Sequence, residues 1–200
     1  MTDQETTMPN VFDYPIPPES KLSYERSLAV ALATGAEAHW CYANAWNALQ
    51  EIPFLRDAAL VEGFLVLEQP TCLSVIEHGW CAGADARIID PSLVLLVGPT
   101  HPVWYFPAIW HNQAARQALS CDDLPSGRAY GTPSKEGWRH PDYQRAYQAA
   151  FTWAKRRAQA ANPHKKLVVE WSIAPFAMSP HRSLIARIVS SSAFLKGELQ

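Results

Sequence analysis

Apolar residues along this chain repeat with two different periods, and the change from one to the other divides the sequence. From Lys21 to Thr34 the composition favours a helix, with Leu22, Leu28, Val30 and Leu32 as its apolar positions and Gly35 placed to end it. Trp40 to Gln50 contains neither Gly nor Pro and puts Tyr42, Ala45, Trp46 and Leu49 on one helical stripe before Pro53 stops the run. The texture then shortens. Leu60–Leu67, Val75–Cys81, Arg87–Asp90 and Leu93–Val97 are rich in β-branched and large apolar residues, are separated by Gly, Pro and Asp, and predict a strand meander. Helical spacing returns at Tyr143, Tyr147, Ala150, Phe151, Ala154 and Ala158, predicting a helix from Pro141 to Ala161 with basic residues near its carboxyl end. Leu167–Ile173 reads as a further strand. Leu184, Ile185, Ile188 and Val189 read as a closing helix with Ser179 as cap and Pro180 in its first turn.

Two stretches fall outside these periods. Residues 1–19 carry Pro9, Pro15, Pro17 and Pro18 among polar residues, which predicts an extended or disordered arm. Residues 121–139 have turn composition, as a linker or as a loop over a site. The expected organisation is therefore the arm, a core over 20–120, and a helix–strand–helix elaboration of the same domain over 121–200.

Composition narrows the class. Two hundred residues with 48% hydrophobic and 18% charged side chains can bury a sizeable core and are not those of a disordered chain or a fibre. A net charge of −2 offers no field for a polyanion, so nucleic acid is not expected as a partner. The acidic, polar start lacks the basic-then-apolar pattern of a secretion signal, and the stretch around Leu93–Val97 is about half of the roughly 20 residues a spanning helix needs. A cytoplasmic protein without membrane segments is the expectation, and its four cysteines, Cys41, Cys72, Cys81 and Cys121, are expected as reduced thiols.

One of those cysteines stands apart. Cys41 lies at the start of a predicted helix, where unpaired N–H groups and the helix dipole stabilise a thiolate. A nucleophilic thiolate also needs a proton carrier, and His78 and Asp90 occupy the strand region that follows. A hairpin centred on Ala84 sets His78 directly opposite Asp90, within reach of a carboxylate that fixes the imidazole tautomer and leaves the other ring nitrogen for Cys41. A one-residue slip would send the two side chains to opposite faces.

The words W-C-Y-A-N-A-W on a helix, then V-E-G-F, E-H-G-W and I-I-D-P on successive strands, resemble the transglutaminase-like cysteine enzymes over residues 38–92. The resemblance implies an α+β fold with the papain-like core, in which a helix bearing the cysteine packs on an antiparallel sheet bearing the histidine and aspartate. It implies Cys41 as nucleophile, His78 as general base and acid, and Asp90 as orienting carboxylate, with Trp40, Asn44 and Trp80 as candidates for lining the substrate pocket. The implied activity is that of a cysteine protease, deamidase or acyltransferase acting on amides of a protein or peptide through a thioester, with no cofactor. This sequence has His39-Trp40 where the simplest family pattern has Gly before the cysteine, so no second oxyanion donor is assigned.

Taken singly, the same residues have plainer roles: Cys41 as a buried small hydrophobe, His78 as a satisfied core histidine, Asp90 as a turn former before Pro91, and Tyr42 and Trp46 as core. Two other functions compete. A non-catalytic protein-binding module would use aromatics expected on the surface at Trp104-Tyr105-Phe106 and Trp110. A small structural zinc site would draw on His39-x-Cys41 and His78-x-x-Cys81, although strand alternation puts Cys81 on the face opposite His78.

Overall fold

A computed structural model describes residues 22–83, 85, 87–117, 140–161, 164 and 166–170. Helix α1 (Tyr24–Thr34) ends where Gly35 takes a left-handed φ of 62° and donates its N–H to Ala31. Helix α2 (Cys41–Glu51) begins with no side chain capping it and runs into Ile52 and Pro53. Strands β1 (Ala59–Glu68), β2 (Cys72–Ala82), β3 (Ile88–Ile89) and β4 (Val103–His111) follow, then the short helix α3 (Gln113–Gln117), the long helix α4 (Pro141–Ala161) and β5 (Lys166–Glu170). The protein is α+β: β3-β2-β1-β4 form an antiparallel sheet, and β5 joins it parallel to β2.

Alternation along the strands sorts side chains to two buried faces. On one, Leu60, Phe64, Val66, Leu73, Val75 and Cys81 meet α2 and α4. Helix α4 approaches closely because Ala146, Ala150, Ala154 and Ala158 form its inner stripe. On the other face, Val61, Leu65, Ile76, Trp80 and Tyr105 pack with Leu93 and Val97. Cover on both faces explains why Leu60–Leu67 is an unbroken buried run rather than an alternating one.

The glycines of the V-E-G-F and E-H-G-W words are packing requirements. A Cβ on Gly79 would lie 2.5 Å from the Tyr42 ring, so the glycine lets α2 settle on β2. A Cβ on Gly63 would run into the Phe106 carbonyl, beside the bulge where β1 changes register against β4.

Three expectations are corrected. Leu93–Val97 is not a strand: Leu93–Leu95 is a 3-10 turn, because the Asp90 carboxylate accepts the N–H groups of Ser92 and Leu93 and curls the chain. Trp104-Tyr105-Phe106 is not a surface patch but the centre of β4, buried by α4 on one side and the Leu93 cluster on the other; Trp110 is exposed. Pro102 and Pro107 hid this strand from its sequence, and an edge position with a bulge accommodates Pro107. The β2–β3 pairing, Cys81 with Ile89 and Ala82 with Ile88, centres the turn on Asp85 rather than Ala84. Residues 1–19, the turn-rich 121–139 with Cys121, and the closing helix lie outside the described residues. Among the described residues, no helix is long and apolar enough to cross a membrane.

Candidate active site

Strand β2 supplies the frame. On its edge away from β1, β5 pairs with Cys72–Ile76 and β3 with Cys81–Ala82, so Glu77–Trp80 has no neighbouring strand there among the described residues. The N-terminus of α2 meets β2 along this stretch, with Tyr42 against Gly79. Cys41, His78 and Asp90 converge there, at 4%, 2% and 0% exposure.

The later turn centre puts Trp80, rather than His78, across from Asp90 when the pairing is continued one residue. The contact survives because the offset is two residues, which is the strand period: both side chains keep one face and meet diagonally. His78 Nε2 lies 2.8 Å from Asp90 Oδ2. A carboxylate in that position selects the Nε2–H form and leaves Nδ1 for the Cys41 thiol, which acts on the ring both by charge and by a side-chain hydrogen bond. Burial pushes the His78 pKa down, but Asp90 first and Cys41 second push it up by more, to about 10.

Asp90 is held by more than histidine. Tyr105 donates its hydroxyl to Oδ2 at 2.9 Å, and the Ser92 and Leu93 N–H groups donate to Oδ1 at 3.2 and 2.9 Å. Its own N–H donates to Ser27 Oγ at 2.9 Å, which ties the loop to α1. Ser27, Ser92 and Tyr105 were not identified as site residues from sequence. Tyr105 carried a usable signal, since alternation along 103–107 sets it on a different face from Trp104 and Phe106.

The three candidate pocket residues have different surroundings. Trp40 precedes the helix and is 38% exposed beside Cys41. Trp80 is buried, stacking on His78 at 6.3 Å and meeting Tyr105 edge-on at 5.0 Å. Asn44 is buried and committed: its amide donates to the Glu37 carbonyl at 2.6 Å and to Ser92 Oγ at 2.7 Å, tying the loop before Cys41 to the loop after Asp90. His39 takes a left-handed φ of 75°, a costly conformation for a side chain with a Cβ, and its buried Nδ1 has no hydrogen-bond partner among the described residues. Burial lowers its pKa.

A second polar cluster lies on the opposite face of β2. Glu77 Oε1 accepts hydrogen bonds from the hydroxyls of Tyr143 on α4 and Tyr42 on α2, the latter at 3.4 Å. Burial lifts the Glu77 pKa to about 7; the Tyr143 bond opposes this, the charge of Glu62 adds to it, and the Tyr42 bond opposes it. Glu62 is itself paired with His111 at 2.5 Å.

The other cysteines are placed differently. Burial pushes the Cys81 thiol far up, and its Sγ donates to the Ala45 carbonyl at 3.4 Å on the face away from His78. Among the described residues, no three His, Cys, Asp or Glu side chains converge to hold a metal ion. No protein-family model, no curated protein and no solved structure matches this chain, so the arrangement rests on its own geometry.

Proposed function

We propose that the chain is a cysteine-dependent hydrolase or acyltransferase acting on amide bonds of a protein or peptide, built on a papain-like, transglutaminase-like core. The observation that carries this reading is the relay of Cys41 at the uncapped N-terminus of α2, His78 with its raised pKa, and Asp90 holding Nε2 at 2.8 Å. Buried cysteines and paired histidines are common separately; a thiol and a carboxylate on opposite sides of one buried imidazole suit proton transfer.

In this mechanism His78 carries the thiol proton and Cys41 Sγ attacks the carbonyl carbon, forming a C–S bond as the carbonyl oxygen takes the negative charge. Backbone N–H groups at the start of α2, which no side chain caps, are the donors for that oxyanion. Collapse breaks the C–N bond, and His78 delivers its proton to the departing amine. Water or a second amine, deprotonated by His78, then attacks the thioester and releases Cys41. Asp90 keeps Nε2 protonated and the ring oriented throughout.

The test is the rate of iodoacetamide alkylation of each cysteine between about pH 4 and 9, read by peptide mass spectrometry in the wild type and in His78→Ala. Cys41 is expected to react fastest in acid, with Cys81 as the inert internal reference, and His78→Ala is expected to remove the advantage. Equal rates for Cys41 and Cys81, or no effect of His78→Ala on a folded protein, would sink the relay. A panel of peptide amides then separates enzyme from binding module: Cys41→Ala abolishes amine release without unfolding the protein.

A further inference from the structure

The far end of α2 holds a second feature, which does not depend on the thiol chemistry. Eleven residues of helix put it about 15 Å from Cys41. There α2, the turn at Pro53–Leu55 and α3 line an open cavity of about 640 Å³, within the range of small-molecule sites. Its walls are apolar at Trp46, Leu49 and Ile52, and Gln50 and Gln113 add polar donors. Of the charged residues lining it, Arg56 and Arg116 outweigh Glu51.

Arg116 makes the cavity unusual. The residue is 5% exposed, yet its guanidinium lies within ion-pair distance of no carboxylate among the described residues. One Nη2 bond reaches the Arg56 carbonyl at 2.7 Å, and Nε has no hydrogen-bond partner among the described residues. The charge of Asp57 reaches it from beyond ion-pair distance, but a single carbonyl partner and an Nε without a hydrogen bond leave the buried guanidinium short of acceptors, a costly state that a bound anion would relieve. Guanidinium geometry favours a planar, two-oxygen acceptor.

We propose that this cavity binds a small carboxylate whose body is aromatic or aliphatic, with the carboxylate on Arg116 and the body against Trp46, Leu49 and Ile52. A free organic acid and the C-terminal residue of a peptide share that chemistry. The experiment titrates the full chain by calorimetry and thermal shift with phenylacetate, with acetyl-Gly-Phe bearing a free carboxylate, and with the amide of each. At least one acid is expected to bind with a Kd below about 1 mM and to raise Tm, and both amides to bind at least about tenfold more weakly. The tighter acid identifies the source of the ligand. Arg116→Gln is expected to weaken the preferred acid by at least about tenfold; because it alters a buried site, Gln50→Trp, an exposed substitution that fills the mouth, is expected to do the same in a folded protein. Absence of binding by both acids at about 10 mM, amides that bind as well as acids, or undiminished binding in Gln50→Trp would each overturn the proposal.

Discussion

Asp90 and Glu77 are both buried acids within reach of β2, and the sheet between them separates two kinds of electrostatics. Asp90, on the His78 face, receives the Tyr105 hydroxyl, two backbone N–H groups and the imidazole, a full set of donors for a carboxylate. Glu77, on the helix face, receives two tyrosine hydroxyls on one oxygen, and burial lifts its pKa to about 7. Neighbouring residues on one strand are pushed toward opposite forms: His78 toward its charged form by Asp90 and Cys41, Glu77 toward its neutral form by burial. Burial is similar on both faces; the supply of donors differs.

The largest effect expected from breaking the comparison is at Asp90. Asp90→Ala strands His78 and three other donors, the Tyr105 hydroxyl and the Ser92 and Leu93 N–H groups, in a buried site, and urea unfolding is expected to register a loss of about 3–5 kcal/mol. A change under about 1 kcal/mol would show the network to be slack.

Two successive pH windows come next. Glu77, raised from 4.5 to about 7, contributes stability that is complete below pH 4.5 and lost as pH rises through 7. Glu77→Gln is expected to flatten that decline, which at about 1.4 kcal/mol per pKa unit amounts to up to about 3 kcal/mol. His78, raised from 6.5 to about 10, contributes stability that is complete below pH 6.5 and lost as pH rises through 10. His78→Gln is expected to flatten that later window and leave the earlier one intact. Urea midpoints measured from about pH 4 to 10 test both, and a single shared window would erase the distinction.

A matched pair of smaller changes sharpens the contrast. Tyr105→Phe removes one of several donors from Asp90 and is expected to cost about 1–2 kcal/mol with little change in pH dependence. Tyr143→Phe removes the bond that most opposes the rise at Glu77, so the Glu77 window is expected to move to higher pH. Identical pH profiles for the two variants would contradict the donor argument. The smallest effect belongs to a pair outside both clusters: Arg157→Ala, which loses an exposed contact with Glu68, is expected to change stability by under about 1 kcal/mol in thermal melts.

The sequence by itself determined the elements with strong local signals. Helical stripes ending at Gly35 and Pro53 placed α1 and α2, Pro141 and the alanine-spaced stripe placed α4, and uninterrupted apolar runs placed β1 and β2, because period and breakers are written residue by residue. The candidate site was legible to the extent that a two-residue strand period keeps His78 and Asp90 on one face despite the displaced turn. Tertiary structure decided the rest. Leu93–Val97 has strand composition but curls around the Asp90 carboxylate, and Val103–His111 has two prolines near or within it yet completes the sheet, because long-range bonds and cover outweigh local propensity. Tyr105, Ser27 and Ser92 reach Asp90 from distant or looped positions, and Arg116 becomes a buried cation only when α3 folds back beside Arg56. No local pattern encodes which side chain a distant donor will find; that depends on how the sheet and helices close around one core.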